Sequence, residues 1–127
     1  MIKIYLIGPL TPRSVRQNHA VEYLNNVRQM LRVAVHLIHS GFAPYCPGMD
    51  FAYQLGGDAP LVESQFKSCS LAWLEVCDGV LLLDGYSDSS GCIAELECAK
   101  EHKIPVFSCL SDLIEFYGGK ANADPTA

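Results

Sequence analysis

Short apolar runs alternate along this chain with longer segments of helical periodicity, and that alternation constrains the fold more than any other feature. The apolar runs cover residues 1–7, 42–45, 80–83 and 104–107, and the helical segments cover 19–39, 61–76, 91–102 and 110–117. Strands that alternate with helices predict parallel pairing through right-handed crossovers. We expect an α/β fold, doubly wound and flavodoxin- or Rossmann-like, with helices on both faces of a mostly parallel sheet of four to five strands.

The 127 residues, half of them hydrophobic, are enough to bury one core without metals or disulfides. We predict a single domain over residues 1–117, followed by a loose tail over 118–127. A formal net charge of -5 offers no basic stripe for a nucleic acid polymer. No apolar run approaches about twenty residues and the amino-terminal run is too short for a signal peptide, so we predict no contact with a membrane.

Six cysteines and four histidines are the residues from which a metal site would be built. The cysteines form no C-x-x-C pair and lie mostly in apolar segments, which is typical of buried thiols in a reducing, cytoplasmic compartment. None of the histidines has a matching acid or cysteine at ligand spacing. We therefore predict neither a metal nor a cofactor.

A serine-rich turn, Ser89-Ser90-Gly91, opens a predicted helix soon after the apolar run 80–83. The first turn of a helix has unpaired amide N–H groups and a dipole that favour an anion such as a phosphate. Ordinary N-capping by Ser89 or Ser90 explains the serines equally well. The turn is therefore a candidate phosphate site with a purely structural alternative.

Glu95 lies one turn into that helix and near its inward stripe, so we expect it to face the sheet rather than the solvent. A carboxylate in this position is either a nucleophile or base, or a structural acid that pairs with a hydroxyl. Tyr5, on the first predicted strand, is placed to reach Glu95 with its hydroxyl. The alternative is a core tyrosine bonded to a backbone carbonyl.

Two loops end at the same edge of the predicted sheet, where doubly wound folds bind ligands. Pro9, Thr11, Pro12 and Arg13 follow the first strand and are expected to form a second wall around a phosphate, although Arg13 is equally compatible with a solvated side chain. Gly8 and Leu10 of the same loop are further candidate substrate contacts. The irregular stretch 46–60 follows the second strand. A loop of that length is usually functional, and Asp50 is its candidate contact to a bound base.

Taken together, these residues resemble the nucleoside 2-deoxyribosyltransferase-like superfamily, including its nucleotide N-hydrolase branch and short relatives common in phages and bacteria. The resemblance covers most of the chain and is carried by residues 4–10, by 71–74 before 77–78, and by 89–91 followed by Glu95 and 104–106. It implies that Glu95 is the nucleophile that displaces the base and forms a glycosyl ester, which water or a second base then resolves. Tyr5 would orient that nucleophile.

Two positions refine what the resemblance implies. Ser89, six residues before Glu95, stands where nucleotide hydrolases have a phosphate-binding serine and nucleoside transferases an aspartate, which favours a 5'-monophosphate substrate. Ser70 stands where the family carries an acid that assists departure of the base, and a serine cannot act as that acid. The proton then comes through water or from another group such as Asp50 or Asp84, or efficient catalysis has been lost.

Three functions follow in order of preference. The first is an N-glycosidase or 2-deoxyribosyltransferase that acts on a small nucleotide or nucleoside, with Ser70, Ser89, Ser90 and Gly91 among the substrate contacts. The second is a non-catalytic module that senses or sequesters a nucleotide, and the third is a small interaction domain. The resemblance also implies a homodimer or higher homo-oligomer in which a neighbour completes the site.

Overall fold

A computed structural model describes residues 1–10 and 19–121 of the chain. Four strands form one sheet, and they are β1 (Lys3–Ile7), β2 (Ala43–Tyr45), β3 (Gly79–Leu82) and β4 (Val106–Phe107). Their order is β2-β1-β3-β4, and every neighbouring pair is parallel. The predicted doubly wound α/β fold is confirmed, with four strands in its sheet.

Four α-helices connect or follow the strands, and they are α1 (His19–His39), α2 (Glu63–Leu74), α3 (Ser90–Glu101) and α4 (Leu110–Ala121). The last turn of α4 occupies the first residues of the predicted tail, while residues 122–127 lie outside the described part of the chain. Within that described part, no helix is both long enough and apolar enough to cross a bilayer.

The stretch after β2 is more ordered than the irregular loop expected from its glycines and prolines. A 3₁₀ helix covers Pro47–Gly56, ten residues in all. Pro47 favours this start because its fixed φ suits the first helical position, where no N–H is needed. Runs of 3₁₀ helix this long are uncommon. The segment brings Asp50 to a fixed place beside the sheet.

Successive residues of β1 face opposite sides of the sheet, so the strand contributes to two cores. Ile4 and Leu6 pack with α1 and α4 on one face. Tyr5 and Ile7 pack with α2 and α3 on the other face. Helices therefore cover both faces, and the side chain of Tyr5 is directed towards the helix that carries Glu95.

The inward stripe of α1 differs from the most regular apolar stripe in its sequence. The helix buries Val27, Met30, Ala34 and Leu37. The more regular stripe lies largely in solvent, with Val21, Leu24, Val35 and Ile38 each more than half exposed. Periodicity predicts the helix correctly, but two apolar stripes compete for the sheet and the sequence alone does not rank them.

Gly79 lies where the backbone of β3 passes close to α4. A Cβ at this position would lie 2.8 Å from the hydroxyl oxygen of Tyr117, which donates a hydrogen bond to the Asp78 carbonyl at 3.0 Å. The ring therefore has little freedom to retreat. Glycine is required at this position because a side chain would clash with Tyr117. The backbone conformation does not require it, since the φ of Gly79 is not positive.

We expect Gly79→Ala to lower the free energy of unfolding by about 1–3 kcal/mol, because the added methyl overpacks the contact with Tyr117. Gly118→Ala is the matched control, since a Cβ there meets nothing within 4 Å. It should be neutral or stabilise α4 by about 0.5–1 kcal/mol. Urea unfolding of both variants checks this, and equal stability of Gly79→Ala and wild type would contradict it.

Candidate functional site

A cleft of about 280 Å³ opens at the carboxyl edge of the sheet, on the face covered by α2 and α3. Its polar lining residues are Asp50, Glu63, Lys67, Ser70 and Glu95. Aromatic rings from three different segments, Tyr23, Phe51 and Phe66, complete the wall. The cleft thus combines two inner carboxylates with apolar surfaces that suit a flat ring.

Glu95 lines the cleft, whereas Tyr5 is fully buried and lies outside the lining. The two side chains lie close enough that each shifts the pKa of the other, although the contact falls outside hydrogen-bonding geometry. The Tyr5 hydroxyl and Glu95 Oε2 are both buried, and neither has a hydrogen-bond partner among the described residues. Buried polar atoms normally have partners, so two such oxygens without partners beside a cleft mark this part of the fold as a candidate site.

A stack of three aromatic rings holds Tyr5 in place. Tyr45 packs between Tyr5, at a centroid distance of 5.3 Å, and Trp73, at 5.9 Å. Tyr5 and Tyr45 are register partners on β1 and β2. Sequence analysis missed Tyr45, although its place at the carboxyl end of the second predicted strand is a signal that could have identified it.

Asp50 is the charged residue with the least exposed surface in the described part of the chain, at 9%. The Tyr45 hydroxyl donates to Oδ1 and Oδ2 at 3.0 and 2.9 Å. Ser70 Oγ donates to Oδ2 at 3.1 Å. Burial raises the pKa of Asp50 above its ordinary value, and the two hydroxyls partly oppose that shift.

Burial is also the main influence on Glu95, and it raises the pKa of this carboxyl from 4.5 to about 7. The Tyr5 hydroxyl opposes the shift, whereas the negative charge of Asp50 adds to it. Burial, followed by the charge of Glu95, raises the pKa of Tyr5, so the phenol stays protonated at neutral pH. Glu95 therefore exchanges its proton near neutral pH, which is common among catalytic carboxylates.

The serine-rich turn begins α3 beside the cleft. Ser89 is the N-cap of this helix, and its Oγ accepts a hydrogen bond from the Cys92 amide at 3.3 Å. Gly91 lines the cleft, and Ser90 is exposed at the same helix start. The capping role is present, and the first turn also presents its amide groups beside Glu95.

The loop after β1 divides between two cavities. Leu10 lines the cleft with Glu95, whereas Pro9 lines a separate cavity of about 520 Å³ on the α1 and α4 face. Gly8 lines neither, and its backbone passes so close to Leu83 that a Cβ would approach within 2.9 Å. Thr11, Pro12 and Arg13 lie outside the described residues. Of the described members of this predicted group, Leu10 lines the cleft and Gly8 and Pro9 do not.

One group of metal-ligand atoms lies outside the cleft. Glu75, Cys98 and His102 bring a carboxylate, a thiol and an imidazole nitrogen within 4.8 Å of one another. Nε2 of His102 lies 3.7 Å from Glu75 Oε1, and Nδ1 lies 2.9 Å from the Cys98 carbonyl oxygen. The expectation that no histidine has a partner at ligand spacing is wrong, because residues 98 and 102 share one helix face. None of the three lines the cleft.

The raised pKa of Glu95 makes a prediction for stability. Between about pH 4.5 and pH 7 the folded protein holds a proton that the unfolded chain has released, so stability falls as the pH rises through this window. Glu95→Gln removes that loss and should raise the free energy of unfolding near pH 8 by up to about 3 kcal/mol, with little change near pH 4.5. Urea unfolding at both pH values measures it.

The matched control for this prediction is Glu97→Gln, on the exposed side of the same helix. It should change stability alike at both pH values, because its carboxylate is solvated in the folded and unfolded states. If Glu95→Gln also changes stability alike at both pH values, then the folded protein does not hold the Glu95 proton near neutrality.

The sequence also permits comparison with known proteins. Residues 2–108 match the family described as "Domain of unknown function (DUF4406)", so the match includes all four strands and both inner carboxylates of the cleft. No curated protein and no solved structure matches the chain. The matched segment is far more than half of the 127 residues. The chain therefore belongs to the DUF4406 family.

Proposed function

We propose that this protein is an N-glycosidase or 2-deoxyribosyltransferase that cleaves the N-glycosidic bond of a nucleoside 5'-monophosphate or a nucleoside through a glycosyl ester on Glu95. The observation that carries the proposal is Glu95 in the lining of the cleft close to the fully buried Tyr5, each with a buried oxygen that has no partner among the described residues. The resemblance to the nucleoside 2-deoxyribosyltransferase-like superfamily points to the same residues.

The burial of Glu95 favours the chemistry that we propose. A carboxylate that is poorly solvated is destabilised as an anion, which is why its pKa rises to about 7. Attack on the anomeric carbon converts this anion into a neutral ester and so removes the buried charge. The Tyr5 hydroxyl stays protonated and is placed to orient the attacking carboxylate.

The two ends of the cleft suit the two ends of a nucleotide. At one end, the start of α3 offers amide groups and the Ser89 hydroxyl to a phosphate. At the other end, Tyr23 and Phe51 meet edge to face at 5.8 Å, beside Phe66, and these rings suit a planar base. A volume of about 280 Å³ matches a single nucleotide rather than a polymer.

The setting that we propose is the cytoplasm, because all six cysteines are free thiols and four of them, Cys46, Cys77, Cys92 and Cys98, have pKa values raised mainly by burial. Thiols kept reduced are usual in that compartment. The sulfur atoms need not take part in the reaction.

Base release tests the proposal. The purified protein is incubated with a panel of ribo- and deoxyribonucleoside monophosphates and the matching nucleosides, and free base is measured by chromatography. We expect wild type to release base from the monophosphates. Glu95→Ala should reduce release at least about a thousandfold, because it removes the nucleophile, whereas the control Glu97→Ala should not.

Two outcomes contradict the proposal in different ways. Equal release by wild type and Glu95→Ala would mean that Glu95 is not the nucleophile. No release by wild type, together with a rise in melting temperature on adding a nucleotide, would favour the non-catalytic binding module instead.

We also propose that two copies associate through α1, in keeping with the homo-oligomer that the resemblance implies. The exposed apolar positions of α1 are Val21, Leu24, Val35 and Ile38, with the half-buried Leu31 between them. The four exposed positions are symmetric about the middle of the helix, because positions 21 and 38, and 24 and 35, exchange on reversal, whereas Leu31 exchanges with Arg28. An antiparallel pair of α1 helices therefore presents matching stripes to each other across a two-fold axis.

Val35→Glu tests this interface, because it places a charge in the middle of the apolar contact. We expect sedimentation to show a dimer for wild type and a monomer for Val35→Glu. Val76→Glu is the control, since Val76 is similarly exposed, at 57% against 51%, but lies beyond α2. A monomeric wild type, or a dimer that survives Val35→Glu, would contradict the interface.

A further inference from the structure

The departing base needs a proton, and Ser70 on α2 stands where the resemblance to the nucleoside 2-deoxyribosyltransferase-like superfamily implies an acid. The Ser70 hydroxyl lies in the cleft, and it donates its hydrogen bond to Asp50 rather than standing alone. We propose that Asp50 is the general acid that protonates the leaving base, held for that role by Ser70 and Tyr45. This inference rests on the proposed function and names the second catalytic group of the same site.

Position is the first argument for Asp50. It lines the same cleft as Glu95, and its negative charge acts on the Glu95 carboxyl. The charged side chains of the cleft rim, Glu63 and Lys67, are exposed. Asp84 lines the separate cavity on the opposite face of the sheet. Of the acids in the described part of the chain, Asp50 therefore combines burial with access to the ligand beside Glu95.

The hydrogen bonds of Asp50 leave one oxygen with capacity to spare. Oδ2 accepts from both Ser70, at 3.1 Å, and Tyr45, at 2.9 Å. Oδ1 accepts a hydrogen bond only from the Tyr45 hydroxyl, at the longer distance of 3.0 Å. Oδ1 is therefore the oxygen placed to carry a proton, while Oδ2 anchors the group.

The contacts that hold Asp50 are themselves well supported. The ring of Tyr45 is fixed between Tyr5 and Trp73, so its hydroxyl has a defined direction. Ser70 is on α2 and Asp50 is on the 3₁₀ helix, so their hydrogen bond joins two elements across the cleft. The serine that cannot supply a proton instead positions the residue that can.

The proton balance of the pair supports the assignment. Two carboxylates in one poorly solvated cleft disfavour the doubly charged state, so the pair retains one proton more readily than either group alone in water. Burial raises the pKa of both groups. In the resting cleft the raised pKa of Glu95 favours this proton on Glu95, and the reaction proceeds from the arrangement in which the proton is on Asp50 and the negative charge is on Glu95.

The reaction then balances in two steps. Glu95 attacks the anomeric carbon, the electron pair of the C–N bond passes to the base nitrogen, and the Asp50 proton moves to the base as it leaves. Water next attacks the anomeric carbon, the ester bond returns its electron pair to Glu95, and Asp50 accepts the proton from water. The net change is one nucleotide and one water to base and sugar phosphate.

The test compares two leaving groups that share one sugar phosphate. One substrate is the nucleotide of the panel from which wild type releases base fastest. The other is the 4-nitrophenyl glycoside of the same sugar phosphate, whose leaving group needs no proton. We expect Asp50→Asn to lower kcat/KM on the nucleotide by about 10²–10⁴-fold and on the nitrophenyl glycoside by less than about tenfold. Asp84→Asn, on the opposite face, should affect neither.

The outcomes separate the two proposals. Equal loss on both substrates would make Asp50 a structural residue, and no loss on either would exclude it from proton transfer. A wild type that releases neither leaving group would overturn the glycosidase proposal, and with it this one.

A double variant guards against misfolding of Asp50→Asn. Asp50→Ser combined with Ser70→Asp moves the carboxyl to the other end of the same hydrogen bond. We expect the kcat/KM of the double variant on the nucleotide to be at least about tenfold higher than that of Asp50→Ser alone. Thermal unfolding of each variant confirms that it folds, and no regain in a folded double variant would count against the acid role.

Discussion

The pairing of β1 on both of its edges is the constraint on which the rest of the structure depends. Its backbone is hydrogen-bonded to β2 and β3, and its side chains enter the cores on both faces. A shift of one residue in the strand register would turn Tyr5 towards the α1 and α4 face. Because helices cover both faces of the sheet, a side chain turned to the other face would not reach water. The register is therefore fixed, and Tyr5 is delivered to the α2 and α3 face by strand pairing rather than by any local signal near Glu95.

The site that results is costly to fold. Two carboxyl groups lie in one poorly solvated cleft, and Tyr5 and Glu95 each retain a buried oxygen without a partner among the described residues. A fold selected only for stability would fill such positions with apolar side chains or complete their hydrogen bonds. The cost is concentrated at the carboxyl edge, where doubly wound sheets bind ligands, and the largely apolar cores on both faces of the sheet offset it.

Much of the fold was predictable, because the alternation of strands and helices is a property of the periodicity itself. The strand-to-helix junction before Glu95 was predictable for the same reason, since helical spacing places that side chain towards the sheet. The inward face of α1 was not, because two apolar stripes have comparable spacing and only the packed sheet selects between them. The 3₁₀ helix around Asp50 was also missed, because glycines and prolines indicate a break in regular structure without specifying what replaces it. The contact between Asp50 and Ser70 joins residues twenty apart, and no local pattern encodes it.

The aromatic stack beneath the cleft has an optical consequence. Trp73 is the only tryptophan in the chain, and its ring lies 5.9 Å from that of Tyr45, whose hydroxyl holds Asp50. At this separation, excitation absorbed by the tyrosine passes efficiently to the indole, whose emission is sensitive to its surroundings. The native chain therefore carries a fluorophore beside the residue that holds Asp50, and a change at Asp50 that moves the Tyr45 ring alters the transfer to Trp73 without any attached dye.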